Sequence, residues 1–171
     1  MNHTRRTVNR LAAVSVVVGL LTAGCTTGQG SRGTDDDRYP YWEKGAGASD
    51  AVEFMNLELP QSATQVKGAV RVQPQERVYL LSFLTSEETA ESIADDLRSE
   101  HPLKADPDTD SLSGDGFEHL GLTSPQDIKG VRTTGVCPPC VGDERRSNVQ
   151  GMEIHVGQDS GDRVRVYLAA Y

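Results

Sequence analysis

Cys137 and Cys140 have the spacing best suited to chemistry in this chain of 171 residues. In a C-x-x-C pair one thiolate attacks a substrate disulfide, and the second thiol then resolves the mixed disulfide. The same two sulfurs can instead close a structural disulfide. As a third alternative they supply half of a zinc site, for which His119 or His155 would have to complete the ligand set.

The residues around the pair favour the structural alternative. Arg145 and Arg146 would stabilise a thiolate, and Cys-Pro-Pro-Cys resembles the dithiol motif of thioredoxin-like proteins. Those proteins place the motif at the start of a helix with an apolar face, whereas residues 141–148 have no helical apolar period. No proline follows Cys140 to act as the cis-proline beside a dithiol. We expect a Cys137–Cys140 disulfide whose short ring contributes about 2 kcal/mol, with the redox centre as the runner-up.

An acidic loop is the second candidate site. Asp106, Asp108 and Asp110 alternate as the first ligands of a calcium loop do. The pattern then breaks, because Ser111 stands where the loop needs its turning glycine and Phe117 stands where the bidentate glutamate belongs. The sequence therefore favours a solvated acidic loop without a bound metal.

Motifs of common enzyme classes are absent from the sequence. It contains no G-x-S-x-G, H-E-x-x-H, P-loop or G-x-G-x-x-G pattern. His101 precedes Pro102, and His155 falls on the polar side of a predicted hairpin, so both are interpreted as surface residues. We expect a binding domain with no catalytic residues and no cofactor.

The first 24 residues have the layout of an export signal. Three arginines and no acidic residue precede an apolar run over residues 11–21, which is too short to span a bilayer. The segment Leu21-Thr-Ala-Gly-Cys25 resembles the lipobox of bacterial lipoproteins with a type II signal peptide. The resemblance implies cleavage before Cys25, lipidation of its sulfur, and a lipid-anchored protein on the extracytoplasmic face of the cell membrane.

Charge limits the partners of the mature chain. Without the leader it holds 14 basic and 25 acidic residues, a net charge of -11. Such a polyanion binds nucleic acid and anionic headgroups poorly, so the lipid must supply the membrane attachment. In the full sequence, leader included, arginine outnumbers lysine 13 to 4, which favours a GC-rich, actinobacterial source. The expected partners are the membrane, through the lipid anchor, and an envelope protein or ligand that the sequence does not identify.

Composition divides the mature chain into a tether and one domain. Residues 25–50 form the predicted tether, in which the polar coil Thr26–Arg38 would span about 20 Å. The aromatic segment Tyr39-Pro-Tyr-Trp42 interrupts this tether, and we expect its rings to pack on the edge of the domain. A single folded domain is predicted over residues 51–171.

Hydrophobic periodicity predicts an α+β fold. One main helix follows a capping box at Thr85 and Glu88 and ends near Glu100, and a short helix begins after Ser124. We expect a two-layer sandwich in which the main helix covers one face of a mainly antiparallel sheet of about five strands. A helical turn is also predicted over residues 63–67. The predicted strands are 55–59, 70–72, 78–84, 152–156 and 164–170, and the last two form a hairpin with one apolar and one polar face.

Overall fold

The computed structural model of the chain describes residues 38–105, 111–136 and 139–171. Its strands and helices confirm the predicted α+β class. No helix in these three ranges is long and apolar enough to cross a membrane. In chain order the elements are β1 (Tyr41–Trp42), α1 (Ala48–Met55), β2 (Thr64–Val72), β3 (Arg77–Ser86), α2 (Glu87–Asp96), β4 (Lys104–Ala105), β5 (Arg132–Val136), β6 (Met152–Ser160) and β7 (Arg163–Ala170).

One antiparallel sheet contains all seven strands, in the order β1-β2-β3-β7-β6-β5-β4. The predicted count of five strands is too low, because β1, β4 and β5 are short or polar. Strand β3 lies inside the sheet and pairs with β7 from Tyr79↔Ala170 to Ser86↔Arg163, which confirms residues 78–84 as a central strand. The hairpin of β6 and β7 is confirmed as well. Both edge strands have only two residues, which limits the exposed edge.

Both helices pack on the same face of the sheet, which we call the helix face. Helix α2 begins after Ser86, whose hydroxyl accepts a hydrogen bond from the Thr89 amide at 3.2 Å. The cap is therefore one residue later than the predicted Thr85. The helices bury small and branched side chains against the sheet, where they form one hydrophobic core: Ala51, Met55, Ala90, Ile93, Ala94, Leu97, Leu81, Phe83, Ile154, Val166 and Leu168.

Residues 48–67 differ from the sequence-based prediction. The predicted strand over residues 55–59 begins with the last residue of α1, and Asn56 ends that helix in a left-handed conformation with φ of 43°. The predicted helical turn over residues 63–67 lies mostly within β2. The predicted domain boundary at residue 51 falls inside α1. The fold therefore includes ten residues that the sequence assigned to the tether, 41–50.

Close packing of α1 on β2 explains this difference. A Cβ atom at Gly68 would lie 2.5 Å from Ala48 Cα and 2.9 Å from Leu80 O, and all of these neighbours are backbone atoms. The start of α1 therefore rests directly on the backbone of β2, which requires glycine at position 68. This contact joins residues distant in sequence, so local periodicity does not reveal it.

The polar face of the β6–β7 hairpin is also covered, contrary to the prediction. Residues 111–131, which we call the covering segment, pack on this face of the sheet and contain 3-10 helices at Gly116–Leu120 and Pro125–Asp127. We call the covered side of the sheet the loop face. The Phe117 ring meets Tyr167 edge-on with centroids 4.9 Å apart. His155 is only 3 % exposed, so its interpretation as a surface residue is wrong. The domain has three layers rather than two: helices, sheet and covering segment.

The aromatic segment before α1 packs on the domain edge, as predicted. Tyr41 and Trp42 form β1 and pair with the end of β2. The Trp42 ring stacks on His119 with centroids 3.9 Å apart and an interplanar angle of 4°. The Arg71 guanidinium lies 5.8 Å from the centre of the Trp42 ring. Ring stacking and a cation–π contact thus hold the segment against the domain.

Candidate functional site

The predicted cysteine site is described in part. Cys25 and Cys137 lie outside the described residues, whereas Cys140 is fully buried in the core of the helix face. Cys140 is disulfide-bonded, and the partner sulfur lies outside the described residues, so the pairing with Cys137 stays a prediction. A reactive sulfur must be accessible to its substrate. In a C-x-x-C redox pair this requirement applies to the attacking first cysteine, which lies outside the described residues, so the burial of Cys140 is compatible with the structural disulfide and with the redox centre.

The zinc alternative lacks support from the geometry. Cys140 belongs to the helix face, whereas His155 lies on the loop face, so the sheet separates the two side chains. His119 is stacked on Trp42. Among the described residues, no three metal-binding side chains form a group. The aspartates at positions 106–110 are outside the described residues, so the calcium prediction remains untested by the structure.

Glu153 and His155 form the core of a buried polar cluster on the loop face. His155 Nε2 lies 3.1 Å from Glu153 Oε1, and Ser111 donates its hydroxyl to the same oxygen at 2.6 Å. The Ser113 amide donates to it at 3.2 Å. Burial acts to raise the pKa of Glu153, but the contacts with His155, Ser111 and the Leu112 amide outweigh it, so this pKa is lowered and the carboxylate stays ionised.

These contacts join two parts of the chain. Here the Ser111 hydroxyl and His155 both contact the carboxylate of Glu153. The cluster therefore ties the beginning of the covering segment to β6.

A buried arginine anchors the loop that follows Cys140. Arg146 is fully buried, and its Nε donates to Met55 O at 2.8 Å. Its Nη1 donates to Asp143 Oδ2 at 2.6 Å, and its Nη2 donates to Asn56 O at 3.3 Å and to Asp96 Oδ2 at 3.2 Å. The guanidinium thus binds carbonyls at the end of α1 and a carboxylate at the end of α2, where a cation is favourable.

Asp143 is the second buried member of this anchor. Burial acts to raise its pKa, but hydrogen bonds from the side chains of Arg146 and Arg145 and from the Arg145 amide lower it to about 2. Both arginines are therefore bound to carboxylates. Their predicted role in stabilising a Cys thiolate is not supported, because their charges are already paired.

The anchored loop forms one wall of a surface cleft at the end of the sheet. The cleft has a volume of about 580 Å³, and a smaller cleft of about 340 Å³ shares Phe54, Tyr79 and Asn148 with it. We call the two together the aromatic cleft. Its uncharged polar and aromatic lining consists of three rings and four amides: Phe54, Tyr79, Tyr171, Gln73, Gln75, Asn148 and Gln150.

Three different parts of the chain position the rings. Phe54, in the last turn of α1, stacks on Tyr79 of β3 with centroids 3.9 Å apart and an interplanar angle of 6°. Tyr171 follows β7, and its amide donates to Gly151 O at 3.0 Å. A Cβ atom at Gly151 would come within 2.8 Å of the Tyr171 ring. The glycine therefore allows this ring to approach the backbone closely at the edge of the cleft.

Two segments supply the amides. Gln73 and Gln75 lie in the turn between β2 and β3. The backbone N–H of Gln73 closes this turn by donating to Glu76 O at 2.8 Å. Asn148 and Gln150 lie in the loop anchored by the buried arginine. Within the described residues none of these four side chains has a hydrogen-bond partner. Each can offer a donor and an acceptor to a ligand.

The rim of the aromatic cleft is mainly acidic. Asp50, Glu53 and Glu76 line it together with Arg77. The guanidinium of Arg77 lies 3.6 Å from Glu43, and contacts with Tyr79 and Glu43 raise its pKa. Arg77, the one cation of the rim among the described residues, is thus partly neutralised, so the cleft does not favour anions.

A second cleft, between residues 56–61 and α2, has a volume of about 650 Å³ but offers less to a ligand. Two of its three charged side chains bind each other, since Arg145 donates to Asp96 Oδ1 at 3.1 Å and to the Asp96 carbonyl at 2.9 Å. None of its lining residues is aromatic. The aromatic cleft is therefore the better candidate for a binding site.

Sequence reasoning did not find this cleft. Phe54, Tyr79 and Tyr171 belong to segments far apart in the chain, and only the packing of α1 on the sheet brings the first two together. The available sequence signal for this cleft was the presence of two side-chain amides close together in each of two turns, Gln73 with Gln75 and Asn148 with Gln150. Comparison of the chain with protein-family models, curated proteins and solved structures gave no match.

Proposed function

We propose that this protein is a lipid-anchored binding domain on the extracytoplasmic face of the cell membrane, with the aromatic cleft as its ligand site. The cleft carries the proposal, because it combines apolar ring surface with four amide groups that have no partner in the described part of the chain. Sites for small ligands have this composition, mostly apolar with a few polar groups that fix orientation. The anchor itself rests on the lipobox-like segment that ends at Cys25.

A binding role also agrees with the state of the ionisable groups. Asp143 pairs with Arg146, and Glu153 pairs with His155, and all four side chains are buried. A general acid or base must reach the proton that it transfers. These groups instead connect elements of the fold, and none of the four lines the aromatic cleft.

Site-specific photocrosslinking in cells tests the location of the site. A photoreactive residue at Gln75 should give an adduct, because this side chain is exposed at the cleft. The matched control is the same residue at Gln61, an exposed amide in the other cleft, which should give none. Equal adducts at both positions would contradict a binding site in the aromatic cleft.

Membrane fractionation tests the anchor. Cys25→Ala removes the thiol that would carry the lipid, so the variant should partition into the aqueous phase of a detergent extraction while the unchanged protein stays with the detergent. A variant that still sediments with membranes would show that the lipid is not the attachment.

A further inference from the structure

We propose that the ligand of the aromatic cleft is an uncharged glycan chain. This inference rests on the proposed function and adds the chemical class of the ligand. It begins with the ring surfaces. Phe54 and Tyr79 stack on each other and are shared by both parts of the cleft, and Tyr171 lies at its edge. The C–H faces of a sugar ring are apolar and pack on such flat aromatic surfaces.

The amides supply the second requirement. Neighbouring hydroxyls of a sugar present a donor and an acceptor side by side, and a side-chain amide presents the complementary pair. Asn148 and Gln150 lie on one wall of the cleft, and Gln73 and Gln75 lie in the turn between β2 and β3. Four amides around aromatic rings therefore match a polyhydroxyl ligand better than an apolar one, which would leave these groups desolvated without partners.

Charge separates an uncharged glycan from other envelope polymers. The rim contains Asp50, Glu53 and Glu76. Arg77, the one cation that lines the cleft within the described part of the chain, is close to Glu43. The mature chain as a whole carries a net charge of -11. A phosphate-rich or uronic-acid polymer would be repelled by both. Because the two adjoining parts measure about 580 and 340 Å³, the site extends past a single pocket and suits a chain.

Calorimetric titration of the full-length protein in detergent micelles tests the inference. The probes are two uncharged tetrasaccharides, of N-acetylglucosamine and of glucose, with tetragalacturonate as the anionic control. At least one uncharged probe should bind, and the anionic one should not. The double variant Asn148→Ala/Gln150→Ala should weaken binding about tenfold or more, because it removes hydrogen bonds to the ligand. Gln61→Ala, in the other cleft, should leave binding unchanged.

A pair of variants at Tyr171 isolates the role of the ring. Tyr171→Ala should weaken binding, whereas Tyr171→Phe keeps the ring surface and should retain it. Circular dichroism of each variant checks that the fold is intact. Equal binding by Tyr171→Ala and the unchanged protein would overturn ring stacking as the basis of recognition.

The remaining outcomes distinguish the ligand class from the proposed function. If no uncharged tetrasaccharide binds but the adduct at Gln75 contains a peptide, the glycan inference is wrong and the proposed function stands. If a tetrasaccharide binds but Gln61→Ala weakens it and the Asn148→Ala/Gln150→Ala variant does not, the assignment of the aromatic cleft is wrong, and both proposals fail together.

Discussion

Arg146→Met should destabilise the domain severely. The substitution keeps most of the side-chain volume but removes the donors to Met55 O, Asn56 O, Asp143 and Asp96. The carboxylate of Asp143, which is only 2 % exposed, then loses its main partner. Breaking a buried ion pair in this way costs about 3–5 kcal/mol, a large part of the stability of a domain of this size. Urea unfolding followed by circular dichroism measures the difference.

The pH dependence gives a sharper test of the same reasoning. The native pKa of Asp143 is about 2, so its stabilising contribution is complete above its ordinary value of about 4 and is lost as the pH falls through 2. In Arg146→Met, burial raises the pKa of Asp143 with opposition only from Arg145, so the carboxyl is protonated at a higher pH. The destabilisation should therefore be smaller at pH 4 than at pH 7.

A substitution of a surface arginine serves as the matched control. It separates the loss of a buried ion pair from the effect of replacing any arginine by methionine. Arg132 binds Glu87 and Glu91 at a partly exposed position, so Arg132→Met should cost at most about 1 kcal/mol. The reasoning is refuted if Arg146→Met costs no more than this control, or if its cost is the same at both pH values. In either case the guanidinium would not be what compensates the buried carboxylate.

Three further predictions concern the cysteines, the close contact at β2 and the acidic loop. Cys137 and Cys140 should resist alkylation, measured by mass spectrometry, until a reductant is added. Replacing Cys137 by Ser together with Cys140 by Ala should lower the free energy of unfolding by about 2 kcal/mol. A partly reduced pool of the two thiols in cells would favour the redox alternative. Gly68→Ala should lower the melting temperature by several degrees, because its Cβ would overlap backbone atoms, whereas Gly142→Ala has open space and should be neutral. Micromolar calcium should leave the melting temperature unchanged, and a rise of several degrees would show that the folded protein binds the ion and contradict the prediction for the acidic loop.

The sequence predicted those elements whose side chains repeat with one clear period. Strand β3 was found because residues 78–84 are almost continuously apolar, as in a strand that is buried on both faces. The hairpin of β6 and β7 was found because alternation over both strands is interrupted by a polar turn. The start of α2 was predicted to within about one residue, since Thr85 and Ser86 can both act as caps.

The errors in predicted secondary structure and burial arise where a segment fits both the helical and the strand period, or where a contact distant in sequence determines the structure. Met55 ends the helical spacing that begins at Ala51, but it also begins the alternation that continues through Leu57. Packing of Ala48 on Gly68 selects the helix, and this contact lies outside any local window. His155 was predicted to be a surface residue, because nothing near it in the chain indicates that residues 111–131 cover it.

The candidate site depends on the same long-range contacts, and the backbone of Cys140 takes part in them. The Cys140 amide donates to Val149 O at 3.2 Å, so the buried cysteine fixes the stretch that carries Asn148 and Gln150. Arg146, between these contacts, fixes the same stretch to the end of α1, next to Phe54. Rigid support of this kind reduces the entropy that a binding loop loses on meeting its ligand. In the proposed binding site, the role of this contact would be to hold the side chains of Asn148 and Gln150 in place.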